Sequence, residues 1–561
     1  MRWPPWSTHR NALLGTVGLV VLADAVARRR SVRRTSNPGL LVVQIDGLGL
    51  PALRLAIDGG HAPYLGALLS QGEMVLAPWF PLVPPTTPAS QAGIMHGHND
   101  EIPGFRWYEK KDHRLLVANH AGDAAEMARR QSDGHGLLAP DGASIGNLMT
   151  GDARRTYLTM ATVAEEPRAP GTIIRLRTFL LSPLNGLRIV GGMLGEFFTE
   201  LYQGRSQALR HVRPRMHRGL DSATERAFLN GAVRILSTEL VIAEMRMGTS
   251  VIYVDFTGYD SIAHHSGPDR PESLHAVRGI DREVERIAEA IPRARRPYRL
   301  VILSDHGQSL GRPFVAEYGQ SLEQFVVGAM GEGNSVQSSK ETEHNQSAGI
   351  IGRELTTLFR FGPIIEAIGA ASKRIGRRSQ VALDKPDLVV CASGNLAHLY
   401  FPIEDGRLTL EDIERCYPGV LARVIEHPAV GCVLVRSSAE GALAISRAGR
   451  LWLDRDELEG EDPLAPYGPL AAPSLRRLDG FSNVGDIVLL STVNPSTAEV
   501  ISFEDLVGCH GGLGGAQSDP FILYPADWSP PRESLVSAPL VHVQLRRWIS
   551  ELQPQGLLTR P

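Results

Sequence analysis

Continuous apolar runs that end in a polar residue recur along the chain. The first run, GLLVVQI, leads into Asp46 and Gly47, and similar runs occupy residues 249–255, 298–305 and 386–391. Strands buried on both faces of a parallel sheet show such continuous runs rather than alternating polar and apolar positions. Stretches with helical periodicity, such as residues 273–290, lie between the runs. The pattern predicts an α/β fold: a doubly wound, mostly parallel sheet with helices on both faces.

Two long stretches interrupt this alternation. Residues 168–218 are apolar and then basic, and residues 331–385 are polar and then basic. We interpret them as insertions that form a cap or a membrane-facing segment. The predicted organisation is a core in three parts (39–166, 236–330 and 386–530), separated by insertions at 167–235 and 331–385. An N-terminal apolar segment and basic linker occupy residues 1–38, and a C-terminal helix lies within 531–561.

The first insertion carries Phe197, Phe198 and Leu201 on a predicted amphipathic helix, and a basic stretch without acids follows. An apolar helix face beside a run of arginines is typical of a contact with a membrane surface. A solvated face or a contact between subunits is the alternative, and we favour the membrane surface. The arginines of this stretch are Arg205, Arg210, Arg213, Arg215 and Arg218.

Residues 11–27 form an apolar run that falls short of the ~20 residues of a membrane-spanning helix. The Ala-Asp-Ala sequence at 23–25 resembles a signal-peptide cleavage site, which keeps export open as an alternative. The main basic cluster follows the run, and this order places the body of the protein in the cytoplasm if the run inserts. We therefore predict a cytoplasm-facing protein, associated with the membrane through this segment or through residues 173–218. The basic cluster comprises Arg28, Arg29, Arg30, Arg33 and Arg34.

Composition narrows the function classes. The chain has 561 residues and a net charge of −3. It therefore lacks the excess of positive charge that would indicate a nucleic-acid partner. Its four cysteines form no CxxC pair, which argues against a cysteine zinc site and against a disulfide framework.

Acids and histidines cluster at the predicted strand ends and in glycine-rich turns. The carboxyl ends of parallel strands meet at one edge of a sheet, where they form a crevice. Six such side chains are enough to bind two divalent ions with three protein ligands each. Mixed carboxylate and imidazole ligands favour zinc, with manganese as the alternative, over magnesium. The candidate ligands are Asp46, Asp260, His264, Asp305, His306 and His510.

A two-metal site that acts on phosphate also needs a nucleophile. Prolines precede the sequence TTPASQAGIM, which has the features of a helix start with hydroxyls in its first turn. The positive end of a helix dipole stabilises an alkoxide or a phosphate there. Thr86, Thr87 and Ser90 are the candidate hydroxyls.

These motifs, in this order, resemble the alkaline phosphatase superfamily, and most closely its type I phosphodiesterase/nucleotide pyrophosphatase branch. The resemblance includes a strand that ends in Asp46 and a threonine, Thr87, ten residues before Gly97. It also includes Asp-x-x-x-His-x-x-Gly-Pro at 260–268, Ser-Asp-His-Gly at 304–307 and His-Gly at 510–511. These blocks lie between residues 40 and 525, and the segments between them match nothing that we can name.

The resemblance implies a metal-dependent hydrolase acting on phosphoric ester bonds. Carried over by position, it implies one ion held by Asp260, His264 and His510. A second ion is then held by Asp46, Asp305 and His306, with Thr87 beside it. It also implies that Thr87 attacks phosphorus and forms a phosphothreonine intermediate, which water hydrolyses.

One departure from that branch concerns the substrate contact. The branch has an Asn about twenty residues after the nucleophile to hold a phosphate oxygen, whereas Tyr108 stands near that position here. Arg106 and Asn99 are the other candidates, and an arginine would resemble the phosphomonoesterase solution. The choice between phosphomonoester and phosphodiester therefore stays open at this point. Two other functions also stay open: a phosphotransferase that uses an alcohol acceptor, and a membrane-associated binding protein with a vestigial site.

Overall fold

The computed structural model describes residues 34–163, 183–331, 333–338 and 386–552. The predicted N-terminal apolar segment and most of the second insertion, 331–385, lie outside the described residues.

A mostly parallel sheet of seven strands forms the centre of the described part of the chain. Five neighbouring strands run parallel, and the strand Phe521–Pro525 lies antiparallel between them and the outermost strand. In spatial order the strands are Met74–Pro78, Phe521–Pro525, Tyr298–Leu303, Gly39–Ile45, Val251–Phe256, Gly142–Ile145 and Arg155–Tyr157.

Both faces of this sheet are covered, as the apolar runs predict. In the strand Gly39–Ile45, Leu41 and Val43 face one hydrophobic core, and Leu40 and Val42 face another. The first core lies under helices Leu50–Asp58, Pro63–Ser70, Arg234–Met247 and Pro271–Ala290. The second lies under helices Thr87–His96, Ala121–Gln131 and Ala538–Leu552. The doubly wound α/β prediction is therefore confirmed.

A second sheet has eight strands, and most of its neighbouring strands are antiparallel. In spatial order its strands are Val336–Ser338, Leu388–Ser393, Leu396–Tyr400, Ile487–Ser491, Val430–Ser437, Gly441–Ile445, Gly449–Trp452 and Glu457–Gly460. Helices Leu322–Met330, Leu410–Cys416, Val420–Ile425 and Ala471–Asp479 accompany it.

The assignment of residues 386–391 to the parallel sheet was wrong, because the strand Leu388–Ser393 belongs to this second sheet. Leu388 and Val390 pack in one core, while Val389 and Cys391 pack on the opposite side. A strand buried on both faces gives a continuous apolar run whether its neighbours are parallel or antiparallel.

The described residues also form two smaller sheets. One comprises Val500–Ser502, Ser309–Pro313 and Gly508–Cys509, and the other comprises Arg106–Glu109 and Arg114–Val117. The remaining α-helices of the described residues are Pro183–Leu209, Leu220–Arg226, Gly258–Ser266 and Phe314–Tyr318, and Ala227–Val233 is a π-helical turn. Short 3-10 helices occupy Met160–Thr162, Ile291–Arg293, Ala465–Tyr467 and Gly515–Ser518. The predicted C-terminal helix is Ala538–Leu552, and its Val541, Leu545 and Trp548 side chains are buried.

Residues 167–182 of the first insertion lie outside the described residues. Its described part contains the helix Pro183–Leu209, a loop, the helix Leu220–Arg226 and the π-helical turn Ala227–Val233. Among the described residues, no helix combines the length and the apolar character needed to cross a membrane.

Candidate metal centre and active site

The site forms where three adjacent parallel strands end. The strand Gly39–Ile45 lies between Val251–Phe256 and Tyr298–Leu303, so Asp46 and Asp305 emerge side by side. Gly47 follows Asp46 with a positive φ of 68°, and its N–H donates to Asp305 Oδ1 over 3.2 Å. A side chain at position 47 would collide with Asp260 Oδ1, because an added Cβ would lie 2.2 Å from it. Glycine at position 47 is therefore required for the Asp260 carboxylate to lie against the turn that follows Asp46.

The first group of predicted ligands consists of Asp46, Asp305 and His306, all of them buried. His306 Nε2 lies 3.6 Å from Asp46 Oδ1 and 3.4 Å from Asp305 Oδ2. The Thr87 hydroxyl completes this group, 3.4 Å from Asp46 Oδ1 and 3.2 Å from His306 Nε2.

The second group consists of Asp260, His264 and His510. His264 Nε2 lies 3.1 Å from Asp260 Oδ2 and 3.2 Å from His510 Nε2. His510 also stacks on His306, with ring centroids 3.8 Å apart, which joins the two groups. His306 can contribute to either group, because its ring nitrogen also lies close to potential ligand atoms of Asp260 and His510. All six sequence-predicted ligands thus lie in one continuous buried cluster.

The three imidazoles share one tautomer. Each Nδ1 is within hydrogen-bond distance of a backbone carbonyl: that of Gly508 for His264, that of Gly307 for His306, and that of Pro85 for His510. A carbonyl oxygen only accepts, so each Nδ1 carries the hydrogen, and in the neutral ring Nε2 is left with a lone pair. Backbone contacts of this kind commonly orient histidine ligands towards a metal.

Carboxylates crowd the centre. Burial, and then the neighbouring Asp305 and Asp255 carboxylates, raise the pKa of Asp46 well above its ordinary value. Four acidic side chains therefore share a space that water does not screen: Asp46, Asp255, Asp260 and Asp305. Such a group is stable in its charged form only with compensating positive charge.

The histidines have the opposite effect on the pKa of Asp260. Burial acts to raise the pKa of Asp260, but the positive charge that the adjacent His264 and His510 carry when protonated outweighs it and holds that pKa well below its ordinary value. Burial also lowers the pKa of His306, which keeps its imidazole neutral near pH 7.

The residues present fit divalent cations. Asp305 Oδ2 is buried and makes no hydrogen bond within the described residues. Two nitrogens bound to one tetrahedral zinc at about 2.0–2.1 Å would lie about 3.3 Å apart, close to the 3.2 Å between His264 and His510 Nε2. The donor set of three carboxylates and three imidazoles is also one that suits zinc or another late first-row metal.

The three candidate hydroxyls differ in access. Thr87 is the first residue of the helix Thr87–His96 and is half-buried, with its hydroxyl among the predicted ligands. The Thr86 and Ser90 hydroxyls are buried and make no hydrogen bond within the described residues. Gly97 ends the same helix in the left-handed conformation, at φ 90°. Thr87 is therefore the hydroxyl of the three that a substrate can reach.

The candidate substrate contacts have partners within the protein. The Arg106 guanidinium donates to Glu504 over 2.7 Å, and both side chains are buried. The Asn99 side chain donates to the Ala89 carbonyl and accepts from Arg477. The Tyr108 hydroxyl lies 3.4 Å from His113 Nδ1.

Sequence reasoning missed three polar residues around the ligands. Asp255, the residue before the end of the strand Val251–Phe256, lies beside the cluster and accepts a hydrogen bond from Gln91 over 2.9 Å. Gln308 donates to Asp260 Oδ1 over 2.5 Å and to the Asp260 carbonyl over 3.1 Å. Asp255 could have been predicted as a site residue, since it follows an apolar run as Asp46 does. Gln91 and Gln308 could not have been predicted in this way, because their roles depend on contacts between distant segments.

Comparisons with solved structures find relatives of similar length and low identity. Phosphonoacetate hydrolase from Sinorhizobium meliloti 1021, in complex with phosphonoacetate, has a TM-score of 0.45 and 14% identity, covering 91% of this chain and 96% of that one. Murine ectonucleotide pyrophosphatase/phosphodiesterase 5, as an inactive variant with AMP, gives 0.43 and 11%, covering 91% and 95%. The human protein of the same name gives 0.44 and 11%, with the same coverage. No curated protein sequence matches the chain.

A family model gives the assignment. The model of type I phosphodiesterase/nucleotide pyrophosphatase matches residues 40–326, just over half of the chain. This range contains five of the six predicted metal ligands and Thr87. The chain belongs to the type I phosphodiesterase/nucleotide pyrophosphatase family of phosphoester hydrolases, within the alkaline phosphatase superfamily.

Proposed function

We propose that the protein hydrolyses phosphate esters through Thr87 and two divalent ions, zinc being the metal that the donors favour. Asp260, His264 and His510 would hold one ion, and Asp46, Asp305 and His306 would hold the other. When bound, the two ions would polarise the phosphoryl oxygens and lower the pKa of the attacking hydroxyl.

One observation carries the proposal. A half-buried hydroxyl lies 3.2–3.4 Å from a carboxylate and an imidazole, in a centre where three histidines direct Nε2 lone pairs towards buried carboxylates. A purely structural cluster would pair its acids with protonated bases or with hydrogen-bond donors. Here Asp305 Oδ2 makes no hydrogen bond within the described residues.

The residues of the chain supply the following steps. The start of the helix Thr87–His96 places the Thr87 hydroxyl beside Asp46 and His306, and from there it attacks phosphorus. The bond from phosphorus to the leaving oxygen breaks, and the phosphoryl group is now esterified to Thr87. Water then attacks the same phosphorus and releases the phosphate product, which restores the Thr87 hydroxyl. The N-terminus of the helix Thr87–His96 adds partial positive charge beside the developing negative charge.

A rate comparison tests the proposal. Para-nitrophenyl phosphate and bis-para-nitrophenyl phosphate are supplied to the zinc-loaded protein, to the chelator-treated protein and to the Thr87→Ala variant. We expect hydrolysis of at least one ester by the zinc-loaded protein, and its loss in the other two samples. Equal rates in all three samples would contradict the proposal. The preferred ester would distinguish a monoesterase from a diesterase.

A further inference from the structure

The helix Pro183–Leu209 presents an apolar stripe to solvent. Its members recur three, four or seven residues apart, so they share one face of the helix. Each is between 54% and 80% exposed, whereas a monomeric soluble protein rarely exposes a long contiguous apolar patch. The stripe comprises Leu187, Val190, Leu194, Phe198, Tyr202 and Leu209.

The opposite face of this helix attaches it to the body of the protein. Glu200 pairs with Arg218 over 2.6 Å and with Arg226 over 3.0 Å, and Glu196 also pairs with Arg226. Gly192 lies against the π-helical turn, where an added Cβ would be 3.0 Å from the Gly231 carbonyl. Both acids of the helix are thus paired with arginines of the body, and the stripe is left without negative charge.

Exposed arginines lie at the C-terminal end of the stripe and in the loop that follows. Arg205 shares the exposed face of the helix, and Arg213 and Arg215 are exposed in the loop that follows. No acid occurs between Glu200 and Asp221. An apolar stripe that continues into exposed arginines complements a surface with anionic groups above an apolar layer.

We propose that this stripe and loop dock onto an anionic lipid membrane, with the helix lying in the plane of the interface. The helix is about 40 Å long at 1.5 Å per residue, which suits a long contact parallel to the membrane. A parallel pairing with a second copy of the chain would bring the same arginines opposite each other, and like charges disfavour that pairing. The proposal concerns a surface outside the catalytic cluster and holds whether or not the protein hydrolyses phosphate esters.

Docking would place the site close to the membrane. Arg270 donates to the carbonyls of Arg213 and Pro214 in the basic loop. Gln207 donates to the Ser266 carbonyl over 3.4 Å, two residues after the predicted ligand His264. The basic end of the docking surface is thereby connected to the segment that follows His264.

Sedimentation of the full chain with vesicles tests the proposal. Phosphatidylcholine vesicles are compared with vesicles that also contain phosphatidylglycerol. The stripe variant carries Leu194→Glu and Phe198→Glu, and its control carries Leu458→Glu and Val543→Glu at exposed apolar positions elsewhere. We expect the wild-type and control proteins to bind the anionic vesicles, and the stripe variant to bind at least tenfold more weakly. We also expect weaker binding to phosphatidylcholine alone and in high salt.

A local probe separates this surface from other membrane contacts of the chain. An environment-sensitive NBD dye is attached to Phe198→Cys in a Cys416→Ser background, because Cys416 is the exposed cysteine within the described residues. A matched sample carries the dye at Val543→Cys. We expect anionic vesicles to shift the emission to the blue at position 198 and not at position 543.

Four results would overturn the proposal. Equal vesicle binding by the stripe variant would place the contact elsewhere, as would an unchanged dye at position 198. A dimer of the wild-type protein that the stripe variant loses would assign the stripe to a second copy of the chain. A dye already shielded at position 198 before vesicles are added would mean that another segment of the same chain covers it.

Discussion

His264 and His510 face each other with their Nε2 atoms 3.2 Å apart, and each ring donates its Nδ1 hydrogen to a backbone carbonyl. Two neutral imidazoles in this tautomer direct lone pairs at each other, which is unfavourable in a buried space. A divalent cation between them, with Asp260 as a third ligand, converts the repulsion into coordination. The backbone carbonyls of Gly508 and Pro85 thus orient the two rings for a cation.

Metal removal is therefore expected to destabilise the fold. Zinc at about a hundredfold excess over its Kd should stabilise the protein by ~2.7 kcal/mol for each site, if it binds only the folded state. Differential scanning calorimetry with zinc and after chelation measures the difference. The variant in which His264 and His510 are both replaced by Ala should lose the part of this gain that comes from the ion they would hold. Identical melting temperatures with and without zinc would contradict a metal centre.

The zinc-dependent gain should also change with pH. Burial and neighbouring carboxylates raise the pKa of Asp46 in the metal-free fold. A raised pKa means that this acid contributes stability below its unfolded value of about 4, and that the contribution is lost as the pH rises. Zinc also competes with protons for the histidines. We therefore expect stabilisation by zinc to increase between about pH 5 and pH 7.5. A gain that shrinks over this range would contradict the assignment.

Gln308 is expected to tune metal affinity through Asp260, to which it donates two hydrogen bonds. Loss of a residue that orients a metal ligand typically weakens metal binding by 10–100-fold. Gln308→Leu should therefore raise the zinc Kd by about that factor, as measured by competition with a chromogenic chelator. Gln544→Leu, a change at a buried glutamine of the C-terminal helix, is the matched control. An equal change in both variants would indicate a general loss of stability instead.

His398 is expected to make the fold sensitive to acid. Its Nε2 is 2.9 Å from the Pro103 carbonyl, and its Nδ1 accepts from the Gly485 N–H, so the buried ring is held neutral. Burial lowers the pKa of His398 to about 4, from 6.5. A lowered histidine pKa gives stability that is present above pH 6.5 and is lost as the pH falls towards 4, by up to ~3 kcal/mol.

Urea unfolding at several pH values checks this prediction. The free energy of unfolding should fall less steeply between about pH 6.5 and pH 4 in His398→Asn than in the wild-type protein. Parallel pH profiles for the two proteins would mean that His398 does not carry the acid sensitivity.

Local pattern was enough to predict three neighbouring strands of the central sheet and that Asp46 and Asp305 lie close together at strand ends. Asp46 and Asp305 end apolar runs, and the neighbouring strands of a parallel sheet bring such ends together. The same pattern misplaced the strand Leu388–Ser393, because burial on both faces does not encode the direction of its neighbours. His510 was identified from its glycine-rich stretch rather than from periodicity.

The candidate substrate contacts show what local pattern cannot predict. Arg106 pairs with Glu504, 398 residues away in sequence, and Asn99 contacts Arg477, 378 residues away. No local signal distinguishes an arginine that will meet such a partner from one that is free to bind phosphate. Local pattern therefore identifies residues at the ends of neighbouring strands, and it carries no signal for contacts between distant loops.

The nucleophile assignment is tested by three alanine variants. Thr87→Ala should lower turnover by at least ~10³-fold, about 4 kcal/mol, because the hydroxyl acts in the transition state. Thr86→Ala and Ser90→Ala should be much milder, since both hydroxyls are buried. Thr87→Ser should retain partial activity. Zinc content should stay unchanged in Thr87→Ala, and an equal loss of turnover in Thr86→Ala would move the assignment to that residue.

Trapping of the covalent intermediate tests the central claim most directly. The zinc-loaded protein is mixed with a chromogenic phosphate ester that it turns over, quenched in acid within one turnover, digested and mapped by mass spectrometry. We predict a peptide that carries the phosphoryl part of the substrate on Thr87, and its absence in the chelator-treated protein and in Thr87→Ala. An adduct on another residue would contradict the account. So would turnover without any adduct when the quench is faster than a single turnover.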